Sequence, residues 1–348
     1  MSDAKRVVIR APNWLGDAVM ALPAMGVIRR ALPEAWIAMA SVPSIAPLFD
    51  EITNAAQDES IVIRDPRAEV KTLAAGAFDT AILLPNSFRS ALSTRRAGIA
   101  ERWGYSSSLR GFLLSRRIVR PRGKVHQSAY YLELVRALGL DAPQEPPRIT
   151  VRAETAARAK KIFDEYGIAE ATRAVGFAPG AAYGHAKRWP PERVRELVIR
   201  LSRNAGSIAL LFGAGGDRDA GREIESSLPP DVRVINLIGR TDLRLLAGLV
   251  ARCAAFVSND SGAMHLAGAL GVPLVAIFGP TDERVTSPLG GGAIDGRNAE
   301  PEVLTHPVFC RPCMLRDCPI DHRCMKKITV DTVFNAVVRR LPAREAAG

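Results

Sequence analysis

The stretch that decides the fold is Ser258-Asn-Asp-Ser-Gly-Ala-Met-His265, which the apolar run Val272-Pro-Leu-Val-Ala-Ile-Phe-Gly-Pro280 follows. With Ala254 to Val257 before it, the pattern is typical of a strand, a polar turn, a helix and a second buried strand. A helix that begins at Ser261 presents free backbone N–H groups and the positive end of its dipole, which favours a phosphate or diphosphate. His265 lies one turn further on the same helix face. The alternative is an ordinary helix whose first polar residues act only as a cap.

The alternation of short strands and longer helices extends over the whole chain of 348 residues. This rhythm is typical of parallel sheets covered by helices. A stretch rich in proline and polar residues, Asp141-Ala-Pro-Gln-Glu-Pro-Pro-Arg148, is the best candidate for a linker between two halves. We therefore expect an α/β protein with two Rossmann-like domains, residues 1–150 and 151–330, that face each other across a central cleft.

The predicted strands and helices follow from the spacing of apolar residues. The strands are Arg6–Arg10, Trp36–Ala40, Ile61–Ile63, Thr80–Leu84, Val175–Ala178, Ile208–Phe212, Val232–Leu237, Ala254–Val257 and Leu274–Phe278. The helices include Asp17–Leu32, Ala68–Ala75, Ser128–Leu138, Pro191–Asn204, Leu243–Arg252 and Val330–Leu341. Ligands of such sheets bind beyond the carboxyl ends of the strands, where the candidate motifs fall.

The chain is strongly basic, with a formal net charge of +11. Nucleic acid, an anionic membrane surface or a phosphorylated substrate could each account for this charge. No nucleic-acid-binding signature is present, so we do not expect a nucleic-acid partner; a merely solubilising surface stays an alternative.

The sequence has no apolar run near the roughly 18 residues of a membrane span and no signal-peptide pattern at its start, which predicts a cytoplasmic protein. Arginines are concentrated in the first half, at Arg89, Arg95, Arg96, Arg102, Arg110, Arg116, Arg117, Arg120 and Arg122.

Asn13-Trp-Leu-Gly-Asp17 follows the first predicted strand and opens the first long helix. Gly16 allows a tight turn, and Asp17 lies at or near the helix N-terminus. Asp17 is therefore either a capping residue or a carboxylate at the mouth of the site that acts as a general base.

Pro179-Gly-Ala-Ala-Tyr-Gly-His-Ala-Lys-Arg-Trp-Pro190 follows the first strand of the second half. Its glycines permit close approach of the backbone, and Lys187 supplies a point charge suited to a diphosphate. The spacing is not that of a P-loop, and a basic surface turn is the alternative. Asp217 follows a second glycine loop, Phe212-Gly-Ala-Gly-Gly216, where it could accept hydrogen bonds from ribose hydroxyls or cap the next helix.

Four cysteines lie close together in the sequence, at Cys310, Cys313, Cys318 and Cys324. In a cytoplasmic protein this density favours a metal site or reduced thiols over disulfides. The spacing departs from the paired C-x2-C knuckles of zinc ribbons, so both alternatives stay open.

Taken together, these motifs resemble the lipopolysaccharide heptosyltransferases of glycosyltransferase family 9, and within them the second enzyme. The resemblance covers most of the chain. The matching stretches are Pro12-Asn-Trp-Leu-Gly-Asp17, Leu84-Pro-Asn-Ser-Phe-Arg-Ser-Ala-Leu92, Phe177-Ala-Pro-Gly180, Ala186-Lys-Arg-Trp-Pro190, Leu211-Phe-Gly213, Ser258–His265 and Phe278-Gly-Pro-Thr281. It implies a GT-B fold, with the acceptor on the first domain and the nucleotide-sugar on the second. It also implies that a C-terminal helix within residues 331–348 packs back on the first domain.

The resemblance further implies an inverting transfer from ADP-heptose to the first heptose of the lipopolysaccharide inner core, heptosyl-Kdo2-lipid A. Asp17 would be the general base, and Lys187 would neutralise the leaving diphosphate without a metal or other cofactor. The remaining implied roles are diphosphate binding for Ser261, Gly262 and His265, sugar binding or orientation for Asp260, ribose binding for Asp217, adenine contact for Thr241, and acceptor binding for Asn86, Arg89 and Arg120.

A peripheral location on the cytoplasmic face of the inner membrane follows from the basic charge and the lipid acceptor. The alternatives are a paralogue with another heptose acceptor or donor, and a non-catalytic GT-B protein that binds anions.

Overall fold

The computed structural model describes residues 4–51, 57–170, 172–290 and 300–342. The chain divides into two compact units, Met1–Thr150 and Val151–Gly348. Each unit contains one six-stranded sheet. Within the described residues, no helix combines the length and the apolar character needed to cross a membrane.

The first unit is a parallel sheet with the strand order β3-β2-β1-β4-β5-β6. In register, Val8 of the central strand lies between Ala38 and Ala81 of its two neighbours. The strands are β1 Arg6–Arg10, β2 Trp36–Ser41, β3 Glu59–Val62, β4 Thr80–Leu83, β5 Glu101–Tyr105 and β6 Arg116–Ile118. The helices are α1 Leu15–Ala31, α2 Ala46–Glu51, α3 Pro66–Ala75, α4 Phe88–Arg96 and α5 Gln127–Ala137.

The second unit repeats this arrangement, with the strand order β12-β11-β10-β7-β8-β9. The strands are β7 Arg173–Ala178, β8 Ser207–Leu211, β9 Val234–Asn236, β10 Ala255–Asn259, β11 Leu274–Phe278 and β12 Glu302–Thr305. The helices are α6 Ala153–Glu165, α7 Pro191–Ala205, α8 Arg218–Glu225, α9 Leu243–Ala251, α10 Gly262–Ala269, α11 Glu283–Thr286, α12 Arg323–Lys326 and α13 Val330–Val338. Numbered within its own unit, each sheet has the Rossmann order 3-2-1-4-5-6.

The predicted fold class, α/β with two Rossmann-like domains, is confirmed. Seven strands are buried along nearly their whole length, as is typical of parallel sheets covered on both faces, and their apolar runs were readable in the sequence: β1, β2, β4, β7, β8, β10 and β11. β5, β6 and β12 were not predicted, because charged residues begin or fill them. The predicted cleft and domain roles stay predictions.

The C-terminal helix α13 contributes its apolar face to the core of the second unit, through Val330, Val333, Ala336 and Val337. It packs against α7 and the strands β10 and β11. The predicted packing of residues 331–348 on the first domain stays a prediction, and residues 343–348 lie outside the described part of the chain.

A buried ion pair fixes the loop that connects β1 to α1. Arg10 Nε donates to Glu69 Oε1 at 3.0 Å, and both side chains are buried. The same guanidinium donates to the Ala11 carbonyl at 2.7 Å and to Asn13 Oδ1 at 3.1 Å. Ser93 Oγ donates to the other oxygen of Glu69 at 3.2 Å. This network determines where the chain enters α1.

Removing the charge of Glu69 should destabilise the first unit, since it leaves the buried guanidinium of Arg10 without its counter-ion. We expect Glu69→Gln to lower the free energy of unfolding by about 3 kcal/mol in urea denaturation. The control is Glu133→Gln, which removes the surface pair with Arg136 and should cost about 1 kcal/mol or less. Equal losses in the two variants would contradict the role assigned to the buried pair.

Candidate active site

The polar candidates of the second unit lie in sequence along one edge of its sheet. Thr241 follows β9, Asp217 follows β8, Lys187 lies in the loop after β7, and Asp260 follows β10. These four strands are consecutive neighbours in the sheet, and all run in the same direction, so their carboxyl ends share one edge. Adjacent strands are about 4.8 Å apart, so the row spans roughly 14 Å. The four predicted donor residues therefore all lie in loops at this edge of the sheet, in the order of the strands that they follow.

Lys187 and Asp260 form an ion pair at the junction of β7 and β10. Lys187 Nζ donates to Asp260 Oδ2 at 2.6 Å, and the two side chains are only 12% and 6% exposed. Thr281 Oγ1, in the loop after β11, donates to the same carboxylate oxygen at 2.7 Å. The ammonium group also lies over the ring of Tyr183, 4.8 Å from its centroid. Asp260 is therefore the acceptor that orients Lys187.

The helix α10 begins beside this pair, without a capping hydrogen bond from the side chain of its N-cap residue. That residue is Ser261, whose Oγ lies 3.1 Å from Ser258 Oγ instead. The N–H groups that start at Gly262 are consequently available to an anion. His265 is buried in the same helix, and its predicted contact with the anion stays a prediction.

Asp217 faces the loop that carries Lys187. It accepts a hydrogen bond from Arg188 Nη2 at 3.1 Å and from the Ala214 backbone N–H at 3.1 Å. Asp217 lies at the N-cap position of α8, but its side chain makes no capping hydrogen bond to that helix; the carboxylate caps the short turn before it, at Ala214. A Cβ atom at Gly180 would lie 2.2 to 2.4 Å from the carboxylate, which explains why glycine stands there.

Asn259 was not among the predicted site residues. It nevertheless holds both ends of the loop that carries Lys187, residues 179–190. Its Nδ2 donates to the Pro179 carbonyl at 2.7 Å, and its Oδ1 accepts from the Trp189 backbone N–H at 3.1 Å. The available signal was an amide side chain at the last position of an apolar strand. Such a group is buried at a cost unless it is hydrogen-bonded.

In the first unit, Asp17 lies in the first turn of α1, partly buried. The N-cap of α1 is Trp14, so the interpretation of Asp17 as the cap is wrong. The Tyr131 hydroxyl, from α5, donates a hydrogen bond to the Asp17 carboxylate, and the Gln127 side chain hydrogen-bonds the same hydroxyl. Burial, together with the negative charge of Asp17, raises the pKa of Tyr131, so this hydroxyl stays protonated as a donor. Neither Gln127 nor Tyr131 was predicted from the sequence.

Two of the three predicted acceptor residues meet at Tyr130. Asn86 Nδ2 donates to the Tyr130 hydroxyl at 2.8 Å, and the Arg120 guanidinium lies 5.5 Å from the centroid of the same ring. Arg89 is exposed in the first turn of α4, next to the N-cap Ser87. All of them lie beyond the carboxyl ends of β4 and β6 or at the helix that follows.

Arg110, which the sequence singled out only as one of many arginines, is fully buried below this surface. Its Nη1 donates to the carbonyls of Pro85 and Ser87 and to Ser90 Oγ, and its Nε donates to the Tyr105 carbonyl. Burial lowers the pKa of Arg110 to about 10, so it keeps its charge at neutral pH. The loop that carries Asn86 is therefore built around a buried cation.

The four clustered cysteines are free thiols and line one small cavity. No group of three or more His, Cys, Asp or Glu side chains in the described ranges is placed to hold a metal ion.

Two parallel sheets of Rossmann order, each with polar side chains collected beyond its carboxyl edge, form the architecture of the GT-B glycosyltransferases. The sequence matches the family model described as Glycosyltransferase family 9 (heptosyltransferase) over residues 67–306. The chain belongs to glycosyltransferase family 9 and is a glycosyltransferase.

The chain is also similar in sequence to named heptosyltransferases. The chain is 31% identical over 300 residues to lipopolysaccharide heptosyltransferase 2 of Salmonella typhimurium, covering 82% of this chain and 85% of the relative. It is 30% identical over 312 residues to lipooligosaccharide heptosyltransferase 2 of Haemophilus influenzae, covering 86% of this chain and 90% of the relative. The solved structure of E. coli ADP-heptose lps heptosyltransferase II matches with a TM-score of 0.81 and 28% identity, covering 96% of this chain and 98% of that chain.

Proposed function

We propose that the protein is an inverting heptosyltransferase that transfers L-glycero-D-manno-heptose from ADP-heptose to the first heptose of the lipopolysaccharide inner core. The observation that carries this proposal is the row of side chains at the edge of the second sheet. Its order, from Thr241 through Asp217 and Lys187 to Asp260, is the order of adenine, ribose, diphosphate and sugar in an extended nucleotide-sugar. The named relatives, heptosyltransferases 2, support the same substrates.

The second unit would stabilise the leaving diphosphate. Negative charge builds on the phosphate oxygens as the glycosidic bond breaks, and fixed donors lower the energy of that state most. The free N–H groups at Gly262 and the ammonium of Lys187 are such donors, both already oriented. Asp260 holds Lys187 in place and would hydrogen-bond the sugar hydroxyls with its remaining lone pairs.

Asp17 would remove the proton from the attacking hydroxyl of the acceptor. Its carboxylate accepts a hydrogen bond from the Tyr131 hydroxyl, and a carboxylate oriented in this way would act as the general base towards the incoming hydroxyl. Attack from the face opposite the departing ADP inverts the configuration at the anomeric carbon.

The first unit would bind the acceptor through its cationic edge. Arg89 and Arg120 are exposed near Asn86, and guanidinium groups bind phosphate and carboxylate groups in two-point geometry. An inner core linked to lipid A offers both kinds of anion.

The same edge also has features of a membrane-binding surface. Leu109 and Val119 are 90% and 82% exposed, and the exposed rings of Phe88 and Phe112 lie 6.1 Å apart. Glu101 is the only acidic residue between residues 80 and 132, and Arg89, Arg120, Arg122 and Lys124 are exposed beyond the carboxyl ends of β4 and β6. Apolar side chains surrounded by cations favour an anionic lipid surface. We therefore propose peripheral attachment to the cytoplasmic face of the inner membrane through this edge.

The test of the function is ADP release from ADP-heptose, with and without mono-heptosylated Kdo2-lipid A. We expect release that depends on the acceptor and a product that gains one heptose. Transfer to a different acceptor only would indicate a paralogue. ADP binding without transfer to any acceptor would indicate a non-catalytic anion-binding protein.

In the same assay, Asp17→Asn should lower the transfer rate by about a hundredfold or more, since the amide cannot accept the proton. Its affinity for ADP, measured by calorimetry, should stay within twofold of the unaltered chain. Asp231→Asn, at an exposed carboxylate of the second unit, is the control and should keep full activity. Near-normal turnover of Asp17→Asn would rule out Asp17 as the base.

Gly180→Ala should weaken ADP binding by about tenfold, because the new methyl group displaces the carboxylate of Asp217. Gly216→Ala is the matched control in the neighbouring loop, where an added Cβ meets nothing within 4 Å. Calorimetric titration with ADP compares the two variants. Unchanged affinity in Gly180→Ala would remove Asp217 from the nucleotide site.

The double substitution Leu109→Ser and Phe112→Ser should reduce co-sedimentation with vesicles of phosphatidylglycerol and phosphatidylcholine by about tenfold, since two exposed apolar anchors are lost. Binding of the unaltered protein should fall as salt is added and be weak on pure phosphatidylcholine. The control is Val338→Ser, an exposed apolar residue of α13 in the second unit. Equal binding of the double variant and the unaltered chain would contradict the proposed surface.

A further inference from the structure

The cysteine-rich segment, residues 308–324, lies next to the two loops that hold Asp260. We call residues 179–190 the Lys187 loop and residues 279–283 the Thr281 loop. The four thiols line a cavity that also includes Ala186 of the first loop and Pro280 of the second. The segment therefore packs beside both the Lys187 loop and the Thr281 loop.

Three contacts fix the Lys187 loop to the segment. The Ala186 backbone N–H donates to the Arg316 carbonyl at 2.8 Å, and the Tyr183 hydroxyl donates to the Met314 carbonyl at 2.8 Å. At Gly184 the backbones are so close that a Cβ would lie 2.3 Å from the carbonyl oxygen of Arg316. The ring of Tyr183 lies between the cations of Lys187 and Arg316, with distances of 4.8 and 5.3 Å to its centroid.

The Thr281 loop is held by the same segment. Arg311 Nε donates to the Gly279 carbonyl at 2.6 Å, and its Nη2 donates to the Thr281 carbonyl at 3.1 Å and pairs with Glu283. The Met314 backbone N–H donates to the Pro280 carbonyl at 3.0 Å. Met314 therefore bonds both loops, one through its N–H group and the other through its carbonyl.

We infer that the cysteine-rich segment is the positioning element of the donor site, and that Tyr183 and Arg311 are its positioning residues. Lys187 and Thr281 approach the same oxygen of Asp260 from two different loops. Their mutual geometry depends on what holds those two loops in place. Met314 bonds to both loops, and Arg311 bonds to the backbone of the Thr281 loop and to Glu283. The inference rests on the proposed function, because it assigns the segment to binding of the nucleotide-sugar diphosphate.

The test uses Tyr183→Phe, which removes the bond to Met314 but keeps the ring, and Arg311→Gln, which removes the ties to the Thr281 loop. We expect each variant to raise the KM for ADP-heptose and the Kd for ADP by about three- to tenfold, the value of one or two lost hydrogen bonds. The kcat should stay within twofold and the melting temperature within a few degrees. The controls are Tyr166→Phe and Arg203→Gln, a tyrosine outside the site and an arginine of a surface ion pair at the far end of α7.

Unchanged Kd and KM in both variants would overturn the inference, as would increases of the same size in the two control variants. If the unaltered chain binds ADP but transfers no heptose, the proposed function fails while the effect on Kd still tests the positioning role. If the unaltered chain does not bind ADP, both proposals fail.

Discussion

The second unit is organised around the buried ion pair of Lys187 and Asp260. Two charges removed from water cost more than their attraction returns unless further hydrogen bonds support them. Thr281 supplies that support, so loops from β7, β10 and β11 converge on one carboxylate oxygen. An arrangement of this kind contributes little to the stability of the fold, but it fixes the position of the Lys187 ammonium group. It keeps the ammonium group at the edge of the sheet, beside the free N–H groups of α10, before any ligand arrives.

In both units a buried polar side chain at the end of a strand holds the neighbouring loop, but the chemical group differs between the two. Both sheets have the Rossmann order, so in each the strand order reverses between the adjacent first and fourth strands, and such sheets bind ligands beyond the carboxyl ends of the strands at that point. In the first unit the cation of Arg10, at the end of β1, holds the next loop through Ala11 and Asn13. In the second the neutral amide of Asn259, at the end of β10, holds the Lys187 loop. A buried polar group at a strand end is therefore in each case an anchor for the loop with the reactive side chain.

The sequence predicted those parts of the fold that depend on local apolar runs. β1 and β11 have the bounds that their uninterrupted apolar residues indicate. By contrast, β5 and β6 carry Glu101, Arg102, Arg116 and Arg117, and they become strands only because β5 pairs with β4 and β6 pairs with β5. The candidate active site likewise has residues that local motifs reveal and residues that only the folded structure brings into place. Motifs that follow strands identified Asp17, Lys187 and Asp260, but no spacing in the chain could bring Tyr131 to Asp17. Contacts between residues so far apart depend on how whole helices pack.

The charge of the two sites differs in a way that fits their ligands. Lys187 is matched by Asp260, so the proposed donor site would hold an anion mainly with oriented N–H groups and a neutralised cation, which suits a diphosphate that must leave. Arg110 makes its described hydrogen bonds only to carbonyl and hydroxyl oxygens, and burial lowers its pKa to about 10. At neutral pH its charge is therefore retained below a loop already flanked by Arg89 and Arg120. The positive field of that edge is built into the fold, and the proposed anionic acceptor would be drawn to the same edge of the sheet that carries Asp17.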